Sequence, residues 1–211
     1  MKDYVKWANT LDSAGSDSSA VKARINSTIV RDLNEAIWRF IQVSERVDKI
    51  KKHLYYGRAY VVEGTGDPSV LYDAPTERLK DHEIIRLLHG ILGKIDEAGE
   101  LAIAFRDFLM DGDTIDPVNI IEEVGDSQWY DAIICKWLGF DSFDPIQIAN
   151  YKKLVARYPD LTWTQGHALN RDLGKEYEAL EDAGLNPGSN TPNPPDDEIG
   201  EDFFPVPVNM E

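Results

Sequence analysis

Apolar side chains recur three and four residues apart over most of the chain, and few stretches alternate, so the pattern predicts helices and almost no strands. Helices are expected at about Tyr4 to Leu11, Ala20 to Leu54, Thr76 to Leu109, Pro117 to Leu138, Pro145 to Arg157 and Thr164 to Ala183. Asp116-Pro117 and Asp144-Pro145 read as starts, each pairing an N-cap acceptor with proline at the first helical position. Tyr158-Pro159-Asp160 and Ala183-Gly184 read as stops. Ser13 to Ser19 is a polar loop and Gly64-Thr-Gly-Asp-Pro a turn. The fold class is therefore all-α, without internal repeats.

The last 25 residues differ from everything before them. Residues 187–211 hold six of the eleven prolines, six acids and no Lys or Arg, the composition of a solvated tail. Its apolar run, Phe203-Phe204-Pro205-Val206-Pro207-Val208, suits a strap across the domain or a neighbour, or a short partner motif. The formal charge is −16, of which the tail carries −6. Such a surface argues against binding a nucleic-acid polymer, which needs clustered cations. No apolar run reaches the ~20 residues of a membrane span, and the first residues do not open a signal segment, so the expected compartment is the cytoplasm. The lone Cys135 sits in an apolar helical context and reads as a packed thiol.

Acidic residues inside strongly apolar helices change the picture. Glu97 and Glu100 share one helix face, and Glu123 and Asp126 share another, each pair spaced i, i+3. Buried together without a counter-charge, such acids cost several kcal/mol. Four carboxylates and no histidine suit a hard divalent ion, Mg²⁺ with Mn²⁺ as substitute. A di-iron bundle needs Glu-x-x-His motifs, and none of the four histidines has a Glu three positions before it. The plainer reading of either pair alone is a solvated helix face. Gly99 and Gly125, each directly before an acid and each costing ~1 kcal/mol in a helix, favour close helix approach around a small site instead.

These motifs resemble the MazG-like all-α nucleoside triphosphate pyrophosphohydrolases, which include the dimeric all-α dUTPases. Glu97-x-x-Glu100 and Glu123-x-x-Asp126, with 22 residues between, are similar to the family's paired acidic motifs. So are their surroundings, Leu92 to Leu101 and Asn119 to Tyr130, and a third segment, Asn150 to Pro159. The resemblance runs from about Glu83 to Asp172, and more weakly over Tyr4 to Thr10. Asp96 departs from the double Glu that opens the first motif in many members. The resemblance implies a helical bundle completed by oligomerisation, with residues 1–186 as catalytic domain, residues 12–80 as a helical insertion, and a homodimer or homotetramer as the assembly.

Asn150, Lys153 and Arg157 fall at i, i+3, i+7, one stripe of amide, ammonium and guanidinium suited to a nucleotide's phosphates, or a surface helix with ordinary cations. Asn119, Glu123, Asp126 and Tyr130 also share a stripe, which would let Tyr130, and Trp129 beside it, border the nucleotide, although aromatics at this spacing more often belong to a core. The activity implied is Mg²⁺-dependent cleavage of (deoxy)nucleoside triphosphates to monophosphate and pyrophosphate, with Glu97, Glu100, Glu123 and Asp126 as metal-holding catalytic acids and Asn119, Tyr130, Asn150, Lys153 and Arg157 at the substrate. Two narrower or different readings stand beside it: a dUTP or dGTP pyrophosphohydrolase of a phage, and a non-enzymatic acidic interaction protein.

Overall fold

The computed structural model describes residues 4–15, 18–60, 81–159 and 161–182. The Gly64 turn, the helix start at Thr76, the tail and its apolar run lie outside the described residues. Every regular element among those described is an α-helix: α1 Tyr4–Gly15, α2 Ser18–Arg24, α3 Ser27–Tyr56, α4 His82–Asp111, α5 Pro117–Trp137, α6 Asp144–Arg157, α7 Gln165–Leu169 and α8 Leu173–Glu181. None of these is long and apolar enough to cross a membrane.

Local chemistry explains the boundaries that sequence spacing misses. The single helix expected over Ala20 to Leu54 breaks at Asn26, whose side chain accepts from the amides of Thr28 and Ile29 and so starts α3 afresh. Gly57, at φ +67°, ends α3 in the left-handed conformation that glycine adopts without strain. The helix expected over Thr164 to Ala183 is two, because Asp172 caps α8 through the amide of Lys175. Asp116 caps α5 as expected, at 2.9 Å from the amide of Val118. Asp144, by contrast, lies inside the first turn of α6, and the cap position falls to Phe143, whose side chain makes no capping bond.

Two helix groups result. In the first, α4 packs between α3 and α5. A Cβ on Gly93 would lie 2.1 Å from the Tyr130 ring, and one on Gly99 would lie 2.0 Å from the Ser44 hydroxyl, so both glycines are needed for close approach. Gly125 has open space around it, so the close approach expected there is absent. The second group joins α6 to α8. It meets α1 at the Trp7 ring, 5.0 Å from that of Tyr151, and at the Tyr4 hydroxyl, which accepts from Asn150.

Each residue along a helix turns the side chain by about 100°, which gives α3 and α4 three faces apiece. On α4, His89, Asp96 and Gly99 meet Tyr55, Lys51 and Ser44 of α3. The residue after each of these, Gly90, Glu97 and Glu100, lies on the α5 side, where Gly90 abuts Ile134. The residue before each, Leu88, Ile95 and Ala98, is apolar. The residues before Ser44, Lys51 and Tyr55 on α3 are likewise apolar: Val43, Ile50 and Leu54. Because the helices run antiparallel, stepping back one residue on either turns to the same side of the pair, away from α5. That side is an apolar face built from both helices.

Candidate metal centre

The α5-facing side of α4 brings Glu97 and Glu100 toward Glu123 of α5, and one carboxylate oxygen from each lies within 4.8 Å of the other two. Glu97 and Glu123 are buried, with relative exposures of 6% and 4%, while Glu100 is exposed. Burial comes first among the causes that push the Glu97 carboxyl up to about 8, followed by its hydrogen bond with Glu123 and the charges of Glu100 and Asp96. Glu100 is raised too, by burial and then by Glu123. A hydrogen bond between two carboxylates requires a shared proton, or a cation in its place. Three converging acids with only oxygen donors fit a hard divalent ion. Asp126, expected as the fourth member, is exposed one turn further along α5 and stands outside this cluster.

Glu100 and Glu123 open onto a cleft of about 390 Å³ at the α4–α5 connection, which Asn119 also lines. Asn119 is thus where sequence spacing puts it, beside the acids. Ile103, Ala104 and Ile115 give this cleft an apolar wall, and Asp107, Asp113 and Asp116 add further negative charge.

Tyr130 is placed differently from the expected nucleotide border. It is buried at 5% exposure, its ring fills the space left by Gly93, and its hydroxyl accepts from the Lys51 ammonium at 3.2 Å. Trp129 is half exposed, its ring edge-on to that of His89 at 5.8 Å.

Nor does the α6 stripe reach the acids. Asn150 donates to the Tyr4 hydroxyl at 2.6 Å. Arg157 makes a two-pronged pair with Glu176 of α8, at 2.9 and 2.6 Å, and Arg171 grips the same carboxylate at 3.1 and 2.7 Å. Those four hydrogen bonds hold Glu176 down at about 2. Lys153 stands beside this knot, its pKa lowered by burial and by the charge of Arg157. The physical reason is packing: α6 lies on α8, so Arg157 is spent on Glu176.

Sequence spacing gave no sign of Lys51, which the structure places behind the acids. It is 3% exposed, donates to Asp96 of α4, and comes from the segment expected as an insertion. Burial alone would lower its pKa, but hydrogen bonds to Asp96 and Tyr130 outweigh this and raise it. Asp96 nonetheless sits above its ordinary value, because burial and the nearby Asp48 charge exceed the pull of Lys51. No family model matches the chain, and neither a curated protein nor a solved structure matches it.

Proposed function

We propose that the protein hydrolyses (deoxy)nucleoside triphosphates to the monophosphate and pyrophosphate with Mg²⁺. The observation that carries this reading is the convergence of Glu97, Glu100 and Glu123 at the edge of a cleft roomy enough for a small ligand. Resemblance of the surrounding motifs supplies the reaction; the carboxylates supply a reason for it to need a divalent ion.

Glu97, Glu100 and Glu123 would hold the ion, which supplies charge neutralisation on the phosphates and a lowered pKa for bound water. Buried Glu97 and Glu123 provide fixed ligands, and exposed Glu100 faces the cleft. Asn119 offers an amide to orient a polar group of the substrate inside the cleft. Ile103, Ala104 and Ile115 give a base or sugar an apolar surface.

The deciding experiment is a panel of ribo- and deoxynucleoside triphosphates with Mg²⁺, scored for pyrophosphate against orthophosphate. Pyrophosphate release that stops on chelation is expected. Orthophosphate alone, or no turnover of any triphosphate, overturns the reading.

A further inference from the structure

We propose that the cleft between α1, α6, α8 and the α5–α6 connection is a binding site for a small uncharged aromatic molecule that carries an N–H or O–H donor. The cleft shares no lining residue with the one beside Glu100 and Glu123, so the inference stands apart from the metal centre.

Local structure builds the cleft. Ile146, Gln147, Ala149 and Asn150 fall at i, i+1, i+3 and i+4 and so share one face of α6. Gly139, at φ +88°, takes the left-handed conformation that turns the chain after α5, and Leu138 and Phe140 on its two sides line the same cleft. Packing of α8 on α6 adds Leu180, and the hydrogen bond from Asn150 to the Tyr4 hydroxyl brings in α1. The cleft measures about 380 Å³. A cavity of about 150 Å³ already takes benzene, so a fused or substituted ring fits here.

Chemistry of the wall selects the ligand. Among the described residues that line it, five are apolar, three are neutral and polar, and none is charged. In a chain of which 28% is charged, such a wall offers a phosphate or carboxylate no counter-charge and receives an uncharged ring instead. Of the three polar residues, Tyr4 and Asn150 bond to each other at 2.6 Å. Gln147 differs from them: its carbonyl oxygen is buried and has no hydrogen-bond partner among the described residues. Leaving a buried acceptor unpaired costs stability, and such groups in native proteins ordinarily find a partner. A ring carrying one donor meets this need, since the planar amide turns about its last side-chain bond to present the oxygen.

The test is a titration of the full, isotope-labelled chain with indole, and with indene, the same fused rings without the N–H, followed by NMR through the backbone amides. Indole should saturate with a Kd below about 1 mM and move the amides of Leu138, Ala149 and Leu180. Indene should bind about tenfold more weakly, the worth of one hydrogen bond. Gln147→Leu should melt at or above the wild-type temperature, because the unpaired oxygen is gone, and should bind the two probes alike. Leu180→Trp should fill the cleft and lose both probes with unchanged helix content; if it does not fold, the Gln147→Leu comparison decides alone. No saturation by indole overturns the proposal, whether residues 187–211 or some other protein covers the cleft. Shifts confined to other amides overturn it too, as does an indole preference that survives in Gln147→Leu.

Discussion

Lys51 of α3 and Asp96 of α4 are bound to each other as an ion pair with side-chain exposures of 4% and 10%, directly behind the three acids of the candidate metal centre. The pair faces α3, whereas the neighbouring Glu97 faces α5, so one turn of α4 serves both a neutral support and a charged site.

Removing one half of that pair leaves a buried charge without a partner. Lys51→Met should destabilise the protein by about 3–5 kcal/mol in urea unfolding, and Lys51→Met with Asp96→Asn by markedly less. Equal losses for the single and double variants would show that the ion pair is not what Lys51 contributes.

Glu123→Gln exchanges a crowded carboxylate for an amide able to donate to Glu97. Without metal, the variant should melt at or above the wild-type temperature. Added Mg²⁺ should no longer raise that temperature, and turnover should fall at least a hundredfold, the equivalent of about 2.7 kcal/mol. A Mg²⁺ shift of normal size in the variant would count against Glu123 as a ligand.

The pH dependence of metal-free stability has a definite sign. Glu97 has a folded value near 8, above the ordinary 4.5, so the folded chain binds more protons than the unfolded one between these limits. Its contribution is complete below about pH 4.5 and is lost as pH rises through 8, with a slope of up to about 1.4 kcal/mol per pH unit. Saturating Mg²⁺ should flatten this slope. Chemical unfolding at several pH values, with chelator and with Mg²⁺, measures both.

Glycines in the same helical context should respond in opposite ways. Gly93→Ala drives a methyl into the Tyr130 ring and should cost about 2–4 kcal/mol, because ring and helix must move apart. Gly125→Ala meets nothing within 4 Å and should gain up to about 1 kcal/mol from helix propensity. Thermal melts of the two variants distinguish packing from propensity.

These contrasts show what sequence could and could not convey. Helical period, the Asp116 cap, the buried Cys135 and the meeting of Glu97, Glu100 and Glu123 follow from spacing, since each depends on one helix or on two neighbours in the chain. Asp126 shares a face with Glu123 by spacing, yet one further turn carries it out of the cluster. The stripe of Asn150, Lys153 and Arg157 was legible as a stripe, but which helix it would meet was not. Glu176 claimed Arg157 from nineteen residues away. Lys51 meets Asp96 across 45 residues, a pairing no local pattern encodes. The breaks at Asn26 and Asp172 are likewise each set by one capping side chain that overrides a continuous apolar period.

Because α4 carries Asp96 on its α3 side and Glu97 and Glu100 on its α5 side, it behaves as a shaft shared by two contacts. Side chains extend about 6 Å from a helix axis, so a turn of 10° about that axis displaces a carboxylate by about 1 Å, enough to spoil a metal ligand. The buried Lys51–Asp96 pair, by setting the rotation of α4 against α3, thereby also sets where Glu97 and Glu100 stand toward Glu123.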